Sequence, residues 1–160
     1  MIYTPALIPE LDVSDLEKSL KFYTQLLGFR VQYAREEEGF VYLAWGNAHL
    51  MLETAEGPGR RWRTSPLEAP FGRGVNFQIQ IPDAGEIFIK LQGAGSPIIQ
   101  RLEEKWYRRG TVEVGNHQFV VADPDGYLIR CFTDLGQRAI PAAADVIPFH
   151  TPAKSPTKPD

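Results

Sequence analysis

The sequence predicts an α+β fold made of two βαβββ modules, and three observations carry this prediction. A strand-like alternation followed by a helix-start signal occurs twice, around Asp15 and around Asp83, about 70 residues apart. Each signal leads into a short apolar helix face that ends at glycine. Each half then continues into further strand-like runs that include a hairpin. The repeated order indicates two copies of one structural unit, matched in pattern rather than in identity.

The first half contains every element that the repeat requires. Residues 6–13 read as a strand, and their prolines favour an edge position. A capping box begins at Ser14, whose hydroxyl and the Glu17 carboxylate would each satisfy a free backbone donor. Apolar residues follow at helical spacing until Gly28, where the helix is expected to stop. Three strands are predicted after it, at residues 29–34, 40–44 and 49–53.

The second half repeats this order after a linker rich in Gly, Pro and Arg. A strand is predicted at residues 75–81, and a second capping box at Asp83 leads into a short helix that ends near Gly93. Residues 97–100 form a short predicted strand. Residues 102–114 are expected to be a long charged connection.

The last hairpin turns at an Asp-Pro-Asp-Gly sequence, residues 123–126. Proline presets φ, glycine supplies a positive φ, and Asp123 is expected to accept backbone N–H groups further along. In the strand that follows, alternation places Leu128, Arg130 and Phe132 on one face. An arginine between large apolar neighbours needs an acidic partner, an anionic ligand group or an aromatic plane; the alternative is an edge-strand arginine that extends to water.

Length and composition are typical of one domain with a tail. The chain has 160 residues, a formal charge of −3 and one cysteine, Cys131, so neither an internal disulfide nor a cysteine-rich zinc site is expected. The predicted domain covers residues 1–136, with modules at about 3–54 and 74–136 and a linker at 55–73, and a Pro- and Ala-rich tail follows at 137–160. The acidic balance argues against nucleic acid, and no apolar run suggests a membrane span or a signal peptide. We therefore expect a cytoplasmic protein.

Three groups of residues together resemble the vicinal-oxygen-chelate superfamily, which includes glyoxalase I, extradiol dioxygenases, fosfomycin-resistance transferases and bleomycin-resistance proteins. The resemblance covers roughly residues 5–136. It implies curved mixed sheets around a cleft, and usually a homodimer whose two clefts draw on both chains. The motifs are Asp15 with Phe22, Tyr23 and residues 27–29, then Gly46 with residues 50–53, and finally Phe119 with residues 123–126.

The resemblance also implies where a metal would be held. The positions that carry ligands in the family's metal enzymes fall on Ile8, Asn76 and Arg130, and Glu53 corresponds to a fourth ligand of glyoxalase I. This set does not suit a divalent ion, which needs several deprotonated donors, so neither a metal nor another cofactor is expected. An alternative is a relocated site built from His49, Glu53 and His117, which would make the chain a metal-dependent glyoxalase- or dioxygenase-type enzyme.

Loss of the metal ligands is typical of the bleomycin-resistance branch. The resemblance therefore implies a binding protein that sequesters a bleomycin-type drug or a similar planar aromatic cation in a metal-free cleft; a module for an unrelated metabolite is a further alternative. Such a ligand needs aromatic planes and carboxylates. Phe40 and Tyr42 could equally be ordinary core residues, and Glu53 and Arg130 are expected at equivalent places in the two modules, where they could pair. The candidate ligand-binding residues are Phe40, Tyr42, Trp45, Glu53, Trp62, Trp106, Tyr107 and Arg130.

Overall fold

The computed structural model describes residues 5–141, which form eight strands and two main helical segments. The first helix (Leu16–Leu20) continues as a π-helical segment, Lys21–Leu27, and a 3-10 turn, Glu36–Glu38, lies between two strands. None of the helices within residues 5–141 has the length and apolar character needed to cross a bilayer. The other elements are β1 (Glu10–Val13), α1 (Leu16–Leu20), β2 (Arg30–Arg35), β3 (Phe40–Trp45), β4 (Ala48–Thr54), β5 (Asn76–Gln80), α2 (Ala84–Gly93), β6 (Ile98–Arg109), β7 (Val112–Ala122) and β8 (Leu128–Ala139).

The strands form two four-stranded mixed sheets of identical topology. The first has the order β1-β4-β3-β2 and the second has the order β5-β8-β7-β6. In each sheet the module's first strand pairs parallel with its last strand, and the remaining pairs are antiparallel. The predicted α+β fold with two βαβββ modules is therefore confirmed.

Both helices begin at an aspartate, which corrects the position predicted for the first cap. Asp15 is the N-cap of α1 and accepts a hydrogen bond from the Lys18 N–H at 3.0 Å. Asp83 is the N-cap of α2 and accepts from the Glu86 N–H at the same distance. The prediction at Ser14 was wrong by one residue, because that side chain bonds to the second module instead. The two caps are therefore equivalent positions of the repeat.

The two modules share one hydrophobic core. One face of each sheet packs against the helices, and fully buried residues of the first module belong to the same cluster as those of the second. The helical segment Lys21–Leu27 contributes Phe22, Tyr23 and Leu27, while α2 contributes Phe88 and Leu91. Within residues 5–141, no helix covers the opposite faces of the two sheets, which carry polar side chains such as Glu53 and Arg130.

The Asp-Pro-Asp-Gly turn joins the modules through buried hydrogen bonds. Asp123 Oδ1 accepts from the backbone N–H groups of Asp125 and Tyr127 at 3.0 and 2.8 Å, which confirms the predicted turn. Asp123 Oδ2 accepts from the Tyr23 hydroxyl at 2.8 Å. Asp125 accepts from the N–H and the hydroxyl of Ser14. One turn of the second module thus bonds to the residue before the first module's helical region and to a residue within it.

The prediction for residues 102–114 was wrong, because these residues are mostly strand. β6 runs from Ile98 to Arg109 with register shifts around Gln100, and the chain reverses at Gly110, whose φ is +64°. This part of β6 lies at the edge of the sheet and is mostly charged, so its sequence lacks the regular apolar alternation by which strands are recognised. Strand pairing, rather than burial, defines this element.

Two strand ends also differ from prediction. β8 continues to Ala139, three residues past the predicted end of the domain at residue 136, because it pairs with β7 along its whole length. β1 is shorter than predicted and begins at Glu10, directly after the second proline. The rest of the predicted tail, residues 142–160, lies outside the described residues.

Candidate functional site

The open faces of the two sheets carry most of the predicted site residues. On β4, Leu50 and Leu52 point into the core, while His49, Met51 and Glu53 point to the open face. Residues that pair across neighbouring strands lie side by side and point to the same face of the sheet. We refer to this surface as the first face and to the corresponding surface of the second sheet as the second face.

A group of three carboxylates lies at the β1 edge of the first face. Asp12 pairs with Glu53 and Glu10 pairs with Met51 across the parallel strands, so all three acids lie together. Glu53 is 5% exposed. The pKa of Glu10 is raised by its burial and by the neighbouring carboxylates of Glu53 and Asp12. Among the ion pairs of residues 5–141, none includes Glu10.

The linker between the modules folds over this acidic group. Arg61 Nη1 lies 2.6 Å from Glu53 Oε1, and Arg63 Nε lies 2.9 Å from Asp12 Oδ2. A Cβ atom at Gly59 would lie 1.6 Å from Glu53 Oε1, so only glycine fits where the linker passes the carboxylate. The linker arginines therefore neutralise the buried acids.

Aromatic rings continue the first face toward β2. Tyr33 and Tyr42 stack with ring centroids 5.0 Å apart, and the Arg35 guanidinium lies 3.7 Å from the centroid of Phe40. Phe40 and Tyr42 are buried but lie on the first face, outside the core cluster, whereas Tyr33 is 49% exposed. At the β1 edge, Trp62 is 78% exposed and lines a hollow of about 80 Å³ above the carboxylates.

The second face contains a larger cavity, of about 430 Å³. Arg130 lies on the same side of β8 as Leu128 and Phe132, as predicted, and its Nη2 donates to the side-chain oxygen of Gln78. The guanidinium therefore bonds to an amide rather than to a carboxylate. Six of the lining residues are Gln78, Gln80, Tyr107, Asn116, Arg130 and Phe132.

The predicted equivalence of Glu53 and Arg130 was wrong. With the helix caps superposed, Glu10 corresponds to Gln78, so their strand partners Met51 and Arg130 are the equivalent residues. Glu53 pairs with Arg61 instead. Glu53 and Arg130 thus lie on different sheets and bond to different residues.

Two predicted site residues lie on the helix side of their sheets. Trp45 packs against Phe29, with ring centroids 5.8 Å apart, and its ring also contacts Gly28. Trp106 pairs with Gly115 and covers it, so a Cβ at Gly115 would lie 2.7 Å from the indole. Neither tryptophan shares an open face with the other candidates, because strand alternation turns it away.

The structure does not assemble the alternative metal site. His49 Nδ1 is 2.8 Å from the Tyr42 hydroxyl on the first face, whereas His117 lies on the helix side of the second sheet near Gly85. Within residues 5–141, no three His, Cys, Asp or Glu side chains are arranged to hold a metal ion. Burial raises the pKa of Cys131 to about 12, so its thiol is unreactive at neutral pH.

Sequence reasoning missed Glu10, Asp12, Tyr33 and Arg61. The alternation of acids with Leu11 and Val13 on β1 was visible in the sequence, but its significance depends on the parallel pairing of β1 with β4. No local pattern indicated that Arg61 would reach Glu53.

Comparison with known proteins agrees with this architecture. A family model described as the Glyoxalase/Bleomycin resistance protein/Dioxygenase superfamily matches residues 9–131. Curated proteins named bleomycin resistance protein, from Geobacillus stearothermophilus and from Staphylococcus aureus, are each 28% identical over 138 residues, which cover 80% of this chain and 96% of each relative.

Solved structures show the same fold. TioX from Micromonospora sp. ML1 has a TM-score of 0.64 at 20% identity, with coverage of 81% of this chain and 98% of that chain. A protein of unknown function from Agrobacterium tumefaciens str. C58 has a TM-score of 0.57 at 26% identity, with coverage of 84% and 95%. Because the family match runs from the residue before β1 into β8 and so spans both modules, the chain belongs to the glyoxalase/bleomycin resistance protein/dioxygenase superfamily.

Proposed function

We propose that this chain is a binding protein that sequesters a bleomycin-type drug, or a similar planar aromatic cation, without a metal. The observation that carries the proposal is the first face, where a group of carboxylates adjoins exposed aromatic rings. The curated relatives named bleomycin resistance protein support the same class of ligand. As expected from composition, we place the protein in the cytoplasm.

The charges on the first face suggest how a cation would be held. Arg61 already neutralises Glu53, so Glu10 is the carboxylate left to bind an ammonium group. Its raised pKa indicates that the negative charge is unfavourable there, and a bound cation would relieve this cost. Tyr33 and Trp62 supply exposed ring surface for a flat ligand.

Titration of the purified protein with bleomycin in a calorimeter tests this proposal. Trp62→Ala should weaken binding by about 1–3 kcal/mol, the range for lost stacking area and cation–π contact. Trp106→Ala is the matched control, because its ring lies on the helix side of the second sheet. Equal binding by the parent and Trp62→Ala would reject the first face as the site, and no binding by the parent would reject drug sequestration.

Charge is tested separately at Glu10. Glu10→Gln keeps the size of the side chain but removes the charge, so bleomycin binding should weaken about tenfold, which corresponds to the loss of one charge-assisted contact. Glu17→Gln is the control, because Glu17 lies on α1 and pairs with Lys21. Identical affinities of the two variants would contradict a role for Glu10.

We also propose that the chain forms a homodimer. β2 and β6 are edge strands of their sheets, and Val31 and Tyr33 on β2 are about half exposed. An edge with apolar side chains is suited to a symmetric partner. Sedimentation at micromolar concentration should give twice the mass of one chain, and a monomer would contradict the proposal.

A further inference from the structure

The part of the linker that passes over the acids of the first face, residues 57–63, is held mainly by side chains. We call this segment the strap. Residues 58–70 form no helix or strand, and within residues 5–141 their backbone makes no hydrogen bond to another backbone group. At the start of the strap, the Gly57 N–H donates to the Thr54 carbonyl at 3.0 Å. Because the strap takes no part in the strand pairing of residues 5–141, it can move without disrupting either sheet.

Two arginine side chains fix the strap to the first sheet. Arg61 Nη1 lies 2.6 Å from Glu53 Oε1, and Arg61 Nε lies 3.5 Å from Asp12 Oδ1. Arg63 Nε donates to Asp12 Oδ2 at 2.9 Å. The side chains of Arg61 and Glu53 are 16% and 6% exposed, and theirs is the most buried ion pair among residues 5–141. Arg61 is therefore an internal cation bound to the carboxylates.

The contact between Arg61 and Glu53 is ionic but poorly aligned. Arg61 Nη1 is buried, yet within residues 5–141 it makes no hydrogen bond, although Glu53 Oε1 is close. A cation binds a carboxylate most strongly when its N–H groups point at the carboxylate oxygens. A free cation is not tethered to the chain, so it can align with Glu53 and compete with Arg61.

The position of the strap also limits how many cationic groups the first face accepts. Arg61 and Arg63 oppose the charges of Glu53 and Asp12, and Glu10 is the remaining carboxylate of the group. The strap backbone covers Glu53 closely, since a Cβ at residue 59 would lie 1.6 Å from its Oε1. A second cationic group of a ligand therefore reaches Glu53 only if the strap opens. A buried carboxylate without a counter-charge is unfavourable, so the incoming cation must replace the arginine.

We propose that the strap is an autoinhibitory segment, in which Arg61 occupies the place at Glu53 that a cationic group of the ligand takes when the strap opens. The proposal rests on the proposed function, because it concerns access to the first face. The apparent affinity of such a ligand is its intrinsic affinity multiplied by the fraction of molecules with an open strap. Loosening the strap should thus strengthen binding, whereas loss of an ordinary binding residue weakens it.

Calorimetric titration with bleomycin tests the sign of this effect. Arg61→Ala removes the internal cation and should tighten binding by about tenfold, which corresponds to one charge-assisted contact. Arg61→Lys keeps the charge but loses the hydrogen bond from Arg61 Nε to the Ala55 carbonyl, so it should tighten binding by about threefold. Arg73→Gln is the matched control: Arg73 lies in the same linker but pairs with Glu68 at the exposed surface, so the affinity should not change.

Guanidinium chloride tests the same place without the drug. This ion carries the charged group of Arg61, so at about 50 mM, far below denaturing concentrations, it should raise the thermal midpoint of Arg61→Ala but not that of the parent. Sodium chloride at the same ionic strength controls for screening. The double variant Arg61→Ala with Glu53→Gln should not respond, because a neutral amide does not attract the ion. If Arg61→Ala is unfolded without the ion, recovery of its far-ultraviolet circular dichroism replaces the midpoint.

The two measurements separate the strap from the drug-binding proposal. Tighter bleomycin binding by Arg61→Lys than by the parent supports the strap, because the charge is retained. If the parent binds bleomycin and Arg61→Lys binds it equally or more weakly, the strap is overturned and the drug site stands. If neither the parent nor the Arg61 variants bind bleomycin, drug sequestration is rejected and guanidinium decides. Selective stabilisation or refolding of Arg61→Ala by guanidinium then supports the strap, and its absence overturns it.

Discussion

The buried side chain of Asp123 stabilises both its own turn and the contact between the two modules. Its carboxylate is 2% exposed and accepts hydrogen bonds from two backbone N–H groups of its own turn and from the Tyr23 hydroxyl. Burial raises its pKa above the ordinary value of 3.8, and the hydrogen bonds counteract this effect only in part. Burial, together with the contact with Asp123, raises the pKa of Tyr23 well above its ordinary value.

Removal of the Tyr23 hydroxyl should therefore be costly. Tyr23→Phe leaves the buried Asp123 carboxylate with one donor fewer, so we expect the free energy of unfolding to fall by about 1–3 kcal/mol in urea denaturation. Tyr33→Phe is the control, because Tyr33 is half exposed, and it should change stability by less than about 0.5 kcal/mol. Equal effects of the two variants would show that the contact with Asp123 contributes little.

The raised pKa of Asp123 also predicts a pH dependence with a definite sign. The folded protein holds this proton more tightly than the unfolded chain does, so its contribution to the free energy of unfolding falls as pH rises from 3.8 through the raised folded pKa. The slope is at most about 1.4 kcal/mol per pH unit. In Asp123→Asn this contribution is absent, so the parent should lose stability relative to the variant as pH increases from 4 to 7. Parallel stability curves for the two proteins would contradict the shift.

Two adjacent residues at the start of α1 make different contacts. Ser14 and Asp15 both have side chains suited to an N-cap, but Asp15 caps the helix and Ser14 donates to Asp125 in the second module. Local preference cannot separate two adjacent capping residues, whereas the buried Asp125 carboxylate, 7% exposed, requires donors.

The helix cap at Asp15 and the contact between Ser14 and Asp125 can be distinguished by their effects on the free energy of unfolding. Asp15→Ala should lower the free energy of unfolding by about 1 kcal/mol, the usual value for a lost helix cap. Ser14→Ala should lower the free energy of unfolding by about 1–3 kcal/mol, because it leaves the buried Asp125 carboxylate with fewer hydrogen-bond donors. In double-mutant cycles with Asp125→Ala, the Ser14 variant should couple by more than about 0.5 kcal/mol, and the Asp15 variant should be additive. If the Asp15 variant couples with Asp125→Ala and the Ser14 variant is additive, Ser14 rather than Asp15 caps the helix.

At the scale of the whole molecule, the modules are joined by both core packing and polar contacts. Their helical segments belong to one buried cluster, and the second module's turn bonds to the first module's helical region. Neither module therefore has a core of its own that is separate from the other.

This shared core predicts cooperative unfolding. At a fixed protein concentration, calorimetry should show a single thermal transition, and fluorescence and far-ultraviolet circular dichroism should give the same midpoint. Ser14→Ala should lower that midpoint without splitting the transition, because the apolar contacts between the modules remain. Two separate transitions would mean that each module folds independently.

The sequence by itself determined the features that depend on neighbouring residues. The turn at Asp123, the alternation that places Arg130 with Leu128 and Phe132, and the repeated βαβββ order all follow from backbone geometry within a few residues. The path of β6 could not be derived in this way, because its edge-strand residues are mostly charged and pairing with β7 defines them.

Only the tertiary structure decided which side chains form the candidate sites. Glu10 and Asp12 join Glu53 because β1 pairs parallel with β4, a contact between segments that are distant along the chain. Arg61 reaches Glu53 because the linker folds back over the first sheet, and Trp106 turns away from the second face because of the register of β6. A sequence pattern specifies which face of a strand a residue occupies, but strand order and register determine what that face meets, since those depend on packing across the whole molecule.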